Sequence, residues 1–220
     1  MQMHLVTPAI MSREKPMKLY YSPGACSLSP HIALLEAGLP YELVKVDLRA
    51  KKLENGDDFL KVNPKGQVPA VQFDSGELVT EGPVIVQMIA DRAGKNLAPA
   101  RDSEERYKLL EWLNYVTTEL HKNLGPMFSP LLADDAKSFF KDRAMGKFKY
   151  LETALAGQDY LMGKQFTVAD GYLFTMLMWA TDRLKFDFSD LPNLMAYKAR
   201  VAARPKVQEA LTKEGLLKAA

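Results

Sequence analysis

Cysteine is almost absent from this sequence: Cys26 is the one thiol in 220 residues. A single cysteine excludes an internal disulfide framework and a cysteine-rich zinc site, so no metal centre is expected. It fits a reducing compartment in which a thiol stays free, and the expected location is the cytoplasm. Net charge is scarce as well. Lys and Arg number 29 against 27 Asp and Glu, leaving +2. That balance gives no reason to expect nucleic acid or a membrane surface as a partner. Long apolar runs are missing too. The longest, such as Leu173 to Ala180, falls far short of the roughly 18 residues that a spanning helix needs.

What is present is an ordinary folded composition, 47% hydrophobic and 25% charged, enough for a useful core and for two modest domains or one large one. Residues 1–16 hold a short apolar stretch followed by Ser12-Arg13-Glu14-Lys15. A signal peptide places its basic region before the apolar part, so this reversed order reads instead as a disordered extension. Regular patterning begins at Met17.

Lys18-Leu19-Tyr20-Tyr21 reads as a strand ended by the turn residues Ser22-Pro23-Gly24. From Ser27, Leu28, Ile32, Leu35 and Leu39 recur at helical spacing, with Gly38-Leu39-Pro40 as the stop. Tyr41 to Val46 alternates like a second strand, which implies a right-handed parallel crossover. A short helix is expected near Asp57 to Val62. Residues 67–71 and 77–79 read as a hairpin around Asp74-Ser75-Gly76. Gly82-Pro83 then opens a helix with proline at its favoured first position. The order β-α-β-α-β-β-α is that of a thioredoxin-like domain, expected over residues 17–94. A Gly, Ala and Pro-rich linker is expected over 95–101, and an all-helical domain over 102–220. There, helical periods run from Ser103 to Leu124, Asp134 to Ala156, Val168 to Leu184, Leu191 to Ala203 and Pro205 to Leu217. Thr167 and Asp170 have capping-box spacing.

Four pieces of this pattern carry chemistry. Cys26 falls between a strand and a helix, where unpaired N–H groups and the helix dipole favour a thiolate. The position three residues on is Ser29, so any disulfide must be made with an outside thiol. A lone cysteine is otherwise most often an inert packing residue. Val68-Pro69 reads as a cis-proline strand start whose preceding backbone faces the site and can pair with an extended peptide; a plain strand-initiating proline is the competing reading. Glu81-Gly82-Pro83 offers helix N-terminal amides for a carboxylate and an acid for an ammonium, though acidic residues at helix starts are common. His121 and Lys122 lie on a long helix, with Asn114 seven residues before His121 and Glu119 three before Lys122. A histidine beside a thiolate can supply a proton or a hydrogen bond, and a lysine adds positive charge; a lone helical histidine is more often a packing residue.

Those residues also carry a resemblance. The segment from Lys18 to Ser29, Asn63-Pro64-Lys65-Gly66-Gln67-Val68-Pro69-Ala70, Thr80-Glu81-Gly82-Pro83, Glu119-Leu120-His121-Lys122 and Phe166-Thr167-Val168-Ala169-Asp170 stand in order at suitable separations. From Met17 to Leu217 the chain resembles a beta-class bacterial glutathione transferase. The resemblance implies a homodimer that uses glutathione as a co-substrate, with no further cofactor and a small hydrophobic electrophile as its second substrate. It implies that Cys26 lies at the sulfur and can form a mixed disulfide with glutathione, with His121 and Lys122 nearby. Val68 and Pro69 would meet the cysteinyl backbone, Glu81 and Gly82 the γ-glutamyl end, and Lys51 the glycyl carboxylate. Tyr21 would support the pocket, Asn114 and Glu119 would lie near the glutathione site and dimer interface, and Phe128 and Trp179 would wall the electrophile. Position 82 departs from the many glutathione transferases that carry serine there. The leading expectation is transfer of the glutathione thiolate to the electrophile. The alternatives are glutathione-dependent disulfide reduction through Cys26 and a non-catalytic protein-binding module of the same fold.

Overall fold

The computed structural model describes residues 16–94 and 96–217. Nearly all of the expected N-terminal extension therefore lies outside the described residues. Strand β1 (Met17–Tyr21) runs parallel to β2 (Tyr41–Asp47), with Leu19 opposite Leu43, and helix α1 (Leu28–Ala37) makes the crossover. Gly38 ends α1 at φ 70°, and its N–H reaches the carbonyls of Leu34 and Leu35; glycine adopts that left-handed turn without a Cβ penalty.

Strand β3 (Lys52–Leu53) was not foreseen: two residues against Val46 and Asp47 are too few to show a period. The short helix expected near residues 57–62 is a single 3-10 turn, Phe59–Lys61, capped by the Asp58 carboxylate on the Leu60 N–H at 2.9 Å. Strand β4 (Ala70–Gln72) pairs antiparallel with β1 and with β5 (Leu78–Thr80), giving the order β3-β2-β1-β4-β5. The strand expected from residue 67 begins only at Ala70, because Pro69 has no N–H to give to a ladder. The Val68–Pro69 peptide is cis, as the sequence suggests.

The two faces of β1 follow its alternation. Leu19 and Tyr21 join the large core built with α1 and α2 (Gly82–Arg92), while Tyr20 joins Val46, Phe59, Val68 and Ala70 on the opposite face. Each fully buried Leu or Ile here contributes about 1.5–3 kcal/mol.

Among the described residues everything after Asn96 is helical or loop. Helix α3 (Glu104–Tyr115) passes without a break into a π-helical turn, Val116–His121, then α4 (Lys122–Leu124) and a 3-10 turn, Gly125–Phe128. Helix α5 (Asp134–Ala154) follows. Helix α6 (Val168–Met178) continues as a second π-helical turn, Trp179–Arg183, and α7 (Pro192–Ala202) and α8 (Pro205–Lys213) complete the fold. Helix α6 is buried on all sides. It meets α1 across Gly171, where an added Cβ would lie 3.4 Å from Ile32. Asp170 reaches back to the Thr167 N–H at 2.7 Å and also accepts from the Leu161 N–H and the Tyr197 hydroxyl, each at 2.8 Å. Those donors offset the cost of a fully buried carboxyl, whose pKa burial raises.

Candidate active site

Between the sheet domain and the helices lies a cavity of about 510 Å³, within the usual range for a small-molecule site. Cys26, Lys51, Val68, Pro69, Glu81, Gly82, His121, Lys122, Phe128 and Trp179 all line it. Ten residues from separate stretches of sequence therefore converge.

Tyr21, Asn114 and Glu119 do not line the cavity. Tyr21 points into the core beside His31, with ring centroids 6.4 Å apart. Asn114 lies exposed on α3. Glu119 turns to Lys147, 2.7 Å away, which holds its carboxyl below the usual range. Both positions were expected beside a dimer interface, and a π-helical turn over Val116–His121 separates Asn114 from His121.

Cys26 sits in the turn before α1, and its thiol donates to the Val68 carbonyl at 3.2 Å. Burial pushes this thiol up to about 11, the backbone N–H groups of Cys26 and Ser27 pull it down, Glu81 pushes it up and Lys122 pulls it down. The helix-start argument thus has the right sign for its N–H groups, yet desolvation is larger. Desolvation opposes the thiolate that the helix-start N–H groups favour.

The loop around Cys26 is held from the helical side at one residue, Gly24. The Gly24 N–H donates to Glu214 at 2.9 Å, and the Gly24 carbonyl accepts from the Trp179 indole at 2.8 Å. The other oxygen of Glu214 meets His31 Nδ1 at 2.9 Å, and both side chains are fully buried. His31 Nε2 lies 3.1 Å from the Tyr41 hydroxyl.

At one end of the cavity, Glu81 opens α2 at φ 71° and ψ 111°. A non-glycine residue held there costs about 1–3 kcal/mol, and such strain clusters at binding sites. Lys65 Nζ bonds both the Glu81 carboxylate at 2.7 Å and the Thr80 hydroxyl at 2.8 Å. Both ion-pair partners are more than half exposed, so the pair is worth under about 1 kcal/mol and exchanges readily for ligand groups. Buried Asn63 pins this loop through the Gln67 carbonyl at 2.8 Å, and Lys51 Nζ reaches the Gly66 carbonyl at 2.8 Å.

At the other end, Trp179 packs edge-on against His121 and Phe128, each with centroids 5.0 Å apart. His121 Nδ1 lies 2.6 Å from the Tyr172 hydroxyl. Burial, and then the charge of Lys122, lowers the His121 pKa to about 4. The imidazole is thus neutral at pH 7. In that form it can give or accept a hydrogen bond.

Sequence reasoning passed over Lys65 and Thr80 although both stand in blocks that carry the resemblance, and their polar side chains beside Glu81 were the available signal. It had no local signal for Thr117, Tyr172 or Arg183, which reach the cavity through the packing of the helices.

Comparison with known proteins agrees with this geometry. Residues 24–92 match the family model of the glutathione S-transferase N-terminal domain, and residues 118–214 that of the C-terminal domain. The chain is 48% identical over 202 residues to the glutathione S-transferase GstA of Escherichia coli O157:H7, covering 91% of this chain and all of that one. A sphingomonad glutathione S-transferase solved in complex with glutathione superposes with a TM-score of 0.85 at 47% identity, over 91% of this chain and 100% of that one. A bacterial beta-class glutathione S-transferase of Sphingomonas chungbukensis superposes with a TM-score of 0.86 at 46% identity and the same coverage. No helix among the described residues is long and apolar enough to cross a membrane. Sheet, cavity and comparisons converge on one conclusion: the chain belongs to the glutathione S-transferase family, in its bacterial beta class.

Proposed function

We propose that the cavity binds glutathione along the Val68, Glu81 and Lys51 side and transfers its thiolate to a hydrophobic electrophile resting against Phe128 and Trp179. The observation that carries this reading is the position of Cys26 Sγ, 3.2 Å from the Val68 carbonyl, between a polar end and an aromatic end of one cavity. An extended peptide pairing with Val68 brings its own sulfur beside Cys26 and Lys122. The α2 N-terminus and Thr80 suit the γ-glutamyl carboxylate, Glu81 its ammonium, and Lys51 the glycyl carboxylate. Lys122 and the hydrogen-bonding groups beside it favour the sulfur as an anion, the nucleophilic form. Glutathione is consumed as a co-substrate, and no further cofactor enters the scheme.

The neutral state of Cys26 favours conjugation over disulfide reduction led by Cys26, because a thiol near pKa 11 has little thiolate at pH 7. Calorimetry on the wild type, Cys26→Ala and Glu81→Ala tests the assignment. Glutathione binding is expected to survive Cys26→Ala and to weaken about tenfold or more in Glu81→Ala, with conjugation retained by Cys26→Ala. No binding by any of the three would sink the transferase reading in favour of a protein-binding module, and loss of all turnover in Cys26→Ala would favour disulfide exchange.

A homodimer is part of the same proposal. Tyr107, 73% exposed, and Leu110 form an apolar strip on α3, with Asn114 one turn on. Sedimentation is expected to give twice the 24.7 kDa chain mass; a monomer at micromolar concentration would remove this part.

A further inference from the structure

One charged side chain in the cavity, Arg183, has no counterpart in the proposed glutathione pose. Arg183 ends the π-helical turn that begins at Trp179, and both residues line the cavity. Its guanidinium lies over the Cys26 loop, with Nη1 3.2 Å from where a Cβ on Gly24 would stand, and 6.0 Å from the Phe128 ring. At that distance the cation–π contribution is at the edge of its range. Among the described residues no carboxylate pairs with it; its neighbour Asp182 is bonded to Lys198 at 2.6 Å. The guanidinium thus faces the aromatic end with its donors available.

The charges lining the cavity sharpen the point. They are Lys51, Lys65, Lys122, Arg183 and Glu81. Glutathione in its thiolate form carries two carboxylates, one ammonium and one sulfur anion. Glu81 answers the ammonium, Lys51 the glycyl carboxylate, and Lys122 the sulfur. Lys65, with Thr80 and the α2 amides, answers the γ-glutamyl carboxylate. Arg183 is left over, and it stands beside the walls assigned to the second substrate. A planar five-donor fork matches a carboxylate in two parallel hydrogen bonds.

We propose that Arg183 anchors an anionic group of the electrophile, so that among the aryl halides open to a glutathione transferase those bearing a carboxylate are preferred. This rests on the transferase reading above. The ring lies against Phe128 and Trp179 while its carboxylate meets Arg183, which turns the halogen-bearing carbon toward the glutathione sulfur. The thiolate attacks that carbon and the C–S bond forms. The carbon–halogen bond breaks, the halide leaves with the bonding pair, and the proton released on ionising the thiol goes to solvent.

The test compares 4-chloro-3,5-dinitrobenzoate with its neutral isostere, 4-chloro-3,5-dinitrobenzamide, at saturating glutathione, for the wild type, Arg183→Gln and Arg183→Lys. Arg183→Gln is expected to lower kcat/KM for the benzoate tenfold or more, chiefly through KM, and to change the benzamide less than twofold. Arg183→Lys should recover part of the loss, since it restores charge without the fork. An equal fall for both substrates would assign Arg183 to holding the Gly24 loop and overturn the proposal, as would no change for either. A wild type that turns over neither substrate and binds no glutathione defeats the transferase reading itself, which is a separate result from benzamide turnover without dependence on Arg183.

Discussion

The two ends of the cavity are built in opposite ways. The end around Glu81 is made of turns and strand ends, and its geometry is fixed by the backbone: the left-handed Glu81, the buried Asn63 on the Gln67 carbonyl, and the carbonyl of Gly66 under Lys51. The end around Phe128 is made of side chains projecting from helices far apart in sequence, with Phe128 itself 41% exposed. A backbone-built surface recognises a constant ligand and tolerates little change. A side-chain-built surface can alter its preference by substitution while the fold stays intact. Under the proposed reaction, the division pairs a fixed thiol site with an adaptable wall.

The comparison breaks most completely at the point both ends share. Glu214→Ala leaves His31 buried without its acid and frees the Gly24 N–H. Each buried donor left without its acceptor costs about 1–3 kcal/mol, and the two together are read as a large fall in the denaturant midpoint. Glutathione affinity and electrophile KM should both worsen, because the freed loop touches both ends. A variant that keeps its stability would show that the two ends are not coupled through Gly24.

His121 separates them by pH. Its folded pKa, about 4, lies below the unfolded value of 6.5. Between those values the unfolded chain binds more protons, so this residue makes stability fall as pH drops from 6.5 toward 4. Over the full window the effect approaches about 3 kcal/mol. His121→Gln should flatten that part of the stability curve, measured by urea unfolding at successive pH values. An unchanged slope would mean that other groups govern it.

Gly82→Ser sharpens the comparison with the smallest change. A Cβ at position 82 meets only Pro69, at an ordinary 3.8 Å, so a serine fits. Its hydroxyl adds one hydrogen bond for the γ-glutamyl carboxylate, worth about 0.5–1.5 kcal/mol. Calorimetry is expected to show glutathione binding two- to tenfold tighter, with the electrophile KM unmoved. A shift confined to the electrophile would contradict the division of the cavity.

How far the sequence reveals this site depends on what builds each part. Strand β1, helix α1 and the opening of α2 were legible because turn residues and period coincide: Ser22-Pro23-Gly24 before α1, Gly38 after it, and Pro83 at the first turn of α2. Strand β3 was not, being too short to have a pattern. Nor were the π-helical turns, since a helix that widens at Val116 or Trp179 has no periodic signature of its own. That is why Arg183, at the end of the second such turn, had no sequence signal that placed it at the cavity. The protonation of Cys26 escaped for another reason. Its N–H donors are local and can be inferred from a helix start, whereas burial is a property of the assembled domains.

Trp179 has a consequence that is optical. It is one of two tryptophans in the chain. Trp112 is packed in a separate aromatic cluster with Tyr115 and Tyr150. The indole of Trp179 holds the Gly24 carbonyl by its N–H while its ring borders His121 and Phe128. Its emission therefore senses the loop that carries Cys26 and the aromatic wall of the cavity. With Trp112 replaced by phenylalanine, the chain becomes its own single-reporter fluorescent sensor, and a nitroaromatic arriving at that wall quenches its light.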